Sequence, residues 1–440
     1  MKLKRITFHN YRNFDHYELT LGRKVTIFIG RNGMGKTNLM DGMVQSLSFI
    51  FSKQRNTPQY EFIRSTAQGV KPFKATDPRY IHGDYTYPLS LEVVGEIANG
   101  TEPFELSWGF EQETQKSGLK DSKFREAYHA FWEYYQARDE KPVLAFYAAG
   151  FPHKDSNIGK AVKDRLKSGR PLPPSDGYYQ WDKEQSCVNI WKKYYIQHWM
   201  NFRLHPTTEN TRFVQAVNGV LQAFGTHINA ASVVVDNPIH ELAVDYREDR
   251  ATLLVVLEDG TSSPFETLPA GYERIYSMVF DLACRSYLLN KHTNPEGVVL
   301  IDEIDLHLHP SLEAVILTAL QRTFPRIQWL VTTHSPLVIA NFNQGSPTVP
   351  PDNLLINLLH NDEGYYNRTV KHTDDILRDM QVDIASDEAI NRYRLLIENG
   401  QGHSPEALEL RQQLEEQLGA NHEELRMADI MLQLFGAAQS

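Results

Sequence analysis

The stretch that most limits how this chain can fold is eight residues long: Gly30-Arg31-Asn32-Gly33-Met34-Gly35-Lys36-Thr37. It matches the spacing GxxxxGK[ST] without a gap. A β-rich apolar run, Val25-Thr26-Ile27-Phe28-Ile29, leads straight into it, and an amphipathic run with Met40, Met43, Val44 and Leu47 on its apolar side follows. Strand, glycine turn, helix is the context that gives such a motif its meaning. The glycines let successive backbone N–H groups turn inward on phosphate oxygens, and the helix N-terminus adds favourable dipole charge. Lys36 is expected to reach the β- and γ-phosphates and the Thr37 hydroxyl to ligate Mg²⁺. Arg31, Asn32, Gly33, Met34, Gly35 and Asn38 complete the predicted nucleotide-binding loop.

Two further motifs read as strand ends. Gly297-Val298-Val299-Leu300-Ile301 is a buried strand that delivers Asp302 and Glu303 at its carboxyl end, where ligands sit in open α/β sheets. Asp302 is placed in the Mg²⁺ sphere, and Glu303 is the expected general base that polarises the attacking water. Trp329-Leu330-Val331-Thr332-Thr333 is a second buried run, ending in His334-Ser335, and His334 is expected to sense the γ-phosphate. The block from 272 to 333 alternates helix and strand, the pattern of a parallel sheet.

A chain of 440 residues exceeds one ordinary core, so a large module with an insertion is the natural arrangement. The divisions expected are 1–110, an N-terminal lobe; 111–225, a helical insertion; 226–372, a C-terminal lobe; and 373–440, a helical tail. Pro171, Pro173 and Pro174 rule out one long helix in the middle span. The net charge of −10 argues against a surface coated in basic charge, though not against a local basic groove. Two distant cysteines, Cys187 and Cys284, give neither a disulfide framework nor a zinc module. The start MKLKRITFHNYRNF alternates like a strand and has no apolar signal core. No run is apolar enough to span a membrane, so a cytoplasmic location is expected.

These three motifs, in this order, resemble the ABC-type ATPase heads of the RecF/SMC and overcoming-lysogenisation (OLD) groups. The opening FHNYRNFD is similar to the first strand and turn of those heads, and Asp302-Glu303-Ile304-Asp305-Leu306-His307-Leu308-His309-Pro310 resembles the acidic element of the OLD-like branch. The likeness covers about 1–110 and 230–370. It implies an α/β P-loop NTPase of ABC/SMC-head type with a helical insertion and a helical C-terminal tail. It also implies hydrolysis of ATP with Mg²⁺, and a D-loop role for Asp305 and its neighbours.

One departure stands out. ABC heads carry a signature, LSGG or LSxGE, that reaches a partner's γ-phosphate. The matching stretch here is Leu268-Pro269-Ala270-Gly271-Tyr272-Glu273-Arg274, which has no serine hydroxyl. Gly271, Tyr272 and Glu273 are the expected trans-acting residues, and a slow or switch-like cycle is implied.

Asp305, His307 and His309 alternate as metal ligands could, but the resemblance already accounts for them as a turn at the ATP site. Lys154, Lys160, Lys163, Arg165, Lys167 and Arg170 read equally as a solvated helix face or as a nucleic-acid or partner contact. Trp181, Trp191, Tyr194, Tyr195 and Trp199 read as packing rather than base stacking. The tail lacks the DxD pair that an OLD-type nuclease needs, so no DNA cleavage by this chain is expected.

An OLD-like ATPase without its own nuclease resembles the PtuA-type ATPase subunits of bacterial anti-phage defence systems, Septu and retron-linked. That resemblance implies a homodimer of heads or a higher oligomer and a separate effector, nuclease in kind; the lack of a long apolar run speaks against a membrane partner. The alternative is a RecF-like ATPase of DNA repair that binds DNA.

Overall fold

In a computed structural model of the chain, the apolar run before the glycine loop is strand β3 (Val25–Ile29), with all five residues buried. Its sheet also contains β8 (Val143–Tyr147), β12 (Gly297–Ile301), β13 (Ile327–Thr332), β14 (Asn353–Asn361) and β15 (Gly364–Thr369). The strand order is β15-β14-β3-β13-β12-β8. The five strands from β14 to β8 pair in parallel, and only β15 runs antiparallel. Strands buried on both faces read as continuous apolar runs rather than alternating ones, which is why β3, β8, β12 and β13 look alike in sequence.

The structure describes residues 1–66, 68–99, 102–120, 123–152, 160–167, 171–182, 188–204, 208–231, 239–247, 250–340, 342, 352–361, 364–369, 389, 392–393, 395–397, 401–418, 425, 428 and 432. They fall into two compact units, Met1–Lys371 and His372–Ser440.

In the first unit, a second sheet is antiparallel throughout. It is made of β1 (Lys2–Tyr11), β2 (Phe14–Thr20), β6 (Leu89–Asn99) and β7 (Glu102–Gln112), ordered β2-β1-β6-β7. The buried side chain of Gln328 on β13 stitches this sheet to the central one. Its amide donates to the carbonyls of Leu3 and Gly22, both at 2.7 Å, and its oxygen accepts from the Leu3 amide. A polar group buried with every bond made costs little and fixes register.

A small hairpin, β4 (Tyr80–Ile81) and β5 (Asp84–Tyr85), projects beyond Tyr11. A third sheet, ordered β11-β10-β9, is made of β9 (Ile239–Arg247), β10 (Arg250–Leu257) and β11 (Ser262–Pro264), with Asp259-Gly260 in the β10–β11 turn.

The helices are α1 (Lys36–Leu47), α2 (Tyr60–Ser65), α3 (Arg125–Ala137), α4 (Lys160–Lys167), α5 (Val188–Leu204), α6 (Thr208–Ala231) and α7 (Ala270–Asn290), followed by α8 (Pro310–Glu313), α9 (Ile316–Thr323) and α10 (Pro336–Ala340). Helix α6 runs on past 225, the expected end of the insertion, because Phe213, Val217, Leu221, Phe224 and Ile228 continue one buried stripe. Between β12 and β13 the helical segment is broken into α8 and α9 around Ala314-Val315.

Strand β8 lies inside the span expected to be a helical insertion, so the central sheet draws an edge strand from it. Trp181, Trp191, Tyr194 and Tyr195 are core residues. Most of the basic run from Lys154 to Arg170 lies outside the described residues or without described side chains.

In the second unit, a helix at Pro405–Leu418 contributes Ala407 and Leu414 to a small core with Tyr393, Ile397, Leu425 and Ala428. Much of the span expected to be a helical tail, 373–440, lies outside the described residues. Among the described residues, no helix is long and apolar enough to cross a membrane.

Candidate nucleotide site

The sheet order explains how motifs so distant in sequence meet. Strands β3, β13 and β12 are neighbours and parallel, so the glycine loop, His334 and the acidic pair leave the same edge side by side. The Thr37 hydroxyl lies 3.1 Å from Asp302 Oδ2. Lys36 is buried, and its ammonium donates to the loop carbonyls of Gly30 (2.7 Å) and Arg31 (3.0 Å). Arg31, Asn32, Gly33 and Thr37 are exposed, Met34, Gly35 and Asn38 partly so.

Gly35 caps α1 with φ 86°, and a Cβ there would stand 2.5 Å from Asn13 and 2.8 Å from Phe14, so only glycine fits. Asn38 is turned toward the β1–β2 turn of the second sheet, where it donates to Asn13 (2.8 Å) and accepts from Arg12 (2.8 Å). Arg12 also pairs with Asp41 and Asp77. The opening NYRNF therefore seats the phosphate loop.

On the acidic side, the Thr332 hydroxyl, at the end of β13, donates to Asp302 Oδ1 (2.6 Å) and accepts from the Glu303 amide (2.8 Å). Glu303 has φ 53°, a left-handed backbone for a non-glycine residue. The next turn is closed by Leu306 N to Glu303 O (3.1 Å) and Leu308 N to Asp305 O (3.0 Å). Asp305 accepts from the Thr333 hydroxyl (2.5 Å) and the His334 amide (3.3 Å). His307 and His309 are exposed, while Leu308 between them is buried. The residues fit a bound cation: a hydroxyl and a carboxylate oxygen already converge, the hard donor set that Mg²⁺ takes.

A family profile described as "AAA ATPase domain" matches residues 1–129. A second profile, described as "AAA domain, putative AbiEii toxin, Type IV TA system", matches residues 282–340. Between them they contain all three motifs of the site. The chain is a P-loop ATPase.

Over 382 residues it is 25% identical to "Retron Vc95 probable ATPase" of Vibrio cholerae, across 77% of this chain and 71% of that one. It is 46% identical over 89 residues to "Retron Ec83 probable ATPase" of Escherichia coli, 19% of this chain and 16% of that one. To "Septu protein PtuA" of Bacillus mycoides it is 37% identical over 91 residues, 21% of this chain and 13% of that one. The ATPase thus spans under a fifth of the last two relatives. Among solved structures, the SMC head domain from Thermotoga maritima superposes with a TM-score of 0.43 at 12% identity, over 84% of this chain and 100% of that one.

Electrostatically, the ATPase holds two cations against three carboxylates. Burial lowers the Lys36 pKa, against the pull of Asp302, Glu303 and Asp305. Burial also brings Arg274 down to about 10, against the same three acids. His334 is exposed, and partial desolvation first and then Lys36 shift it below its ordinary value. Arriving phosphate charge would relieve all three.

Gly271, Tyr272 and Glu273 form the first turn of α7, which begins after Pro269 and makes its first backbone bond from Glu273 N to Pro269 O (2.9 Å). Pro269 and Ala270 are exposed, Tyr272 and Glu273 partly so, and Gly271 is buried. Sequence reasoning gave no role to Thr332 or to Arg274. The first was legible as one of two threonines at a strand end. The second carried no signal beyond its place after the signature.

Proposed function

We propose that this ATPase is the nucleotide-gated regulator subunit of an anti-phage defence complex, in which ATP-dependent assembly of heads holds a separate effector, nuclease in kind. The observation that carries this reading is the 382-residue similarity to a retron ATPase, which runs well beyond the P-loop itself. In this reading Lys36 and the amides of the loop bind the β- and γ-phosphates, and Thr37 and Asp302 hold Mg²⁺. When bound, Mg²⁺ supplies charge neutralisation on those phosphate oxygens. Glu303 takes the proton of the attacking water, and His334 donates toward the γ-phosphate as a neutral ring. The exposed start of α7 meets the nucleotide of a second copy through its first-turn amides. Without the serine hydroxyl that contact is weak, which suits a gate better than a fast motor.

The test is expression with the neighbouring reading frames, followed by mass photometry with and without ATP, for the native chain and for Lys36→Ala. A larger, ATP-dependent assembly carrying a second protein is expected for the native chain alone. A monomer under every condition would remove the reading. DNA-stimulated turnover with no co-purifying protein would favour the RecF-like alternative instead. DNA degradation by the purified chain with Mg²⁺ would mean that it is itself the nuclease.

A further inference from the structure

Arg274 sits on the first turn of α7 with only 1% of its surface exposed. Its two terminal nitrogens reach four backbone carbonyls on two segments. Nη1 donates to Ala149 (2.6 Å) and Phe151 (2.7 Å), just past β8. Nη2 donates to Asp302 (3.0 Å) and Glu303 (3.1 Å). A buried guanidinium is expensive to desolvate, and its planar fork can bridge four acceptors as an ammonium cannot.

The Glu303 peptide is strained and persists only because its surroundings hold it. Its amide is fixed by Thr332 on β13, and its carbonyl accepts from Arg274 and from the Leu306 amide. Of these, Arg274 alone stands on the helix whose start is exposed. The same turn of α7 touches the acidic turn a second time, because a Cβ on Gly271 would lie 2.5 Å from the His307 carbonyl.

We propose that Arg274 is a positioning residue for hydrolysis, tying the first turn of α7 to the Glu303 peptide so that the helix start sets the orientation of the base. This rests on the reading of Glu303 as base and of α7 as the face offered to a second copy. Phosphate bound at the helix start then reports to the neighbouring water-activating carboxylate through one side chain, and a head without a partner keeps its base misaligned.

The experiment compares steady-state phosphate release and fluorescent-nucleotide binding in the full chain for Arg274→Ala, Arg274→Lys, Gly271→Ala and Glu303→Gln. Arg274→Ala is expected to lose about 100-fold in kcat while KM and nucleotide affinity stay within about twofold, the mark of a misplaced catalytic group. Millimolar guanidinium, far below denaturing levels, should restore at least about tenfold of that loss, and should do nothing for Glu303→Gln. A merely structural role would show as early melting without rescue. If the alanine variant does not fold, Arg274→Lys is read in its place, with kcat expected about tenfold down and KM held. Gly271→Ala, which crowds His307 and keeps Arg274, should also lower kcat by about tenfold.

Full kcat in Arg274→Lys or Arg274→Ala overturns the proposal, as does a raised KM with unchanged kcat. Glu303→Gln turning over at the native rate would instead remove the base reading, and this proposal with it. An inactive Glu303→Gln beside a fully active Arg274→Ala would remove the Arg274 proposal alone.

Discussion

Two helix starts of this ATPase carry a glycine in a motif, and they use it in opposite ways. At the start of α1 the loop is open: a Cβ on Gly33 would meet nothing within 4 Å, and Arg31, Asn32 and Gly33 are exposed. Space is left for phosphate to approach the backbone. At the start of α7 the glycine is spent on the chain itself, because Gly271 is buried against the His307 carbonyl while its neighbours Pro269 and Ala270 are exposed. Both ends have the same dipole. One is built as a cradle, and the other as a lever fastened to the acidic turn.

The largest expected effect separates binding from turnover. Glu303→Gln should lower kcat by about 10³-fold while nucleotide affinity holds within about twofold, measured by phosphate release and by titration with a fluorescent ATP analogue. A Gln variant with native kcat would leave the acidic turn without a catalytic role. Next comes Lys36→Ala, which removes the ammonium now resting on the Gly30 and Arg31 carbonyls. Loss of its charged hydrogen bonds should weaken ATP binding by about 100-fold. If affinity were unchanged, the open loop at α1 would not be the cradle.

The cradle was far more legible in the sequence than the lever. A strand of five apolar residues, three glycines and a lysine are local signals, and each has one physical meaning at its position. Asp302 and Thr332 were equally visible as strand ends, but their partnership depends on β13 lying between β3 and β12, a long-range order that no spacing states. Arg274 was invisible because its partners are backbone carbonyls, which every residue possesses. Strands β14 and β15 were passed over too. The run Asn353–Asn361 alternates poorly because it sits beside β3 with both faces covered, and Gly364 at φ 121° marks the turn only in retrospect. In the 111–225 span three helices, α3, α5 and α6, are long or aromatic and dominate; the run from Lys141 to Gly150 reads as a strand by itself, but nothing local says that it joins the central sheet.

Pro269→Ser puts the lever to a direct test, because it returns a hydroxyl to the cap of α7. Pro269 has φ −52° and ψ 142°, which serine adopts freely as an N-cap. The cap bond to a first-turn amide should stabilise by about 1 kcal/mol, and the loss of proline rigidity should offset about half to all of it. Melting temperature should therefore hardly move. If the first turn meets a partner's phosphate, the added donor should raise kcat about five- to tenfold. A serine variant no faster than the native chain would leave α7 as an internal anchor only.

The smallest effect expected is in the pH dependence, and it depends on His334 standing between the two regions. Partial desolvation and then Lys36 hold its pKa below the ordinary 6.5. The folded chain therefore binds this proton less readily than the unfolded chain does. Its contribution to stability is present above pH 6.5, the unfolded value, and is lost as pH falls through the lower folded one. Turnover follows the same sign: flat through neutrality, with an acid limb that His334→Gln should flatten by a few-fold at most, about threefold. Bound triphosphate brings negative charge to the ring and raises its pKa. The acid limb of kcat, which reports the nucleotide complex, should then lie at higher pH than that of kcat/KM, which reports the free enzyme. Coincident limbs, or limbs in the reverse order, would mean that His334 does not face the phosphates, and that the cradle at α1 works without it.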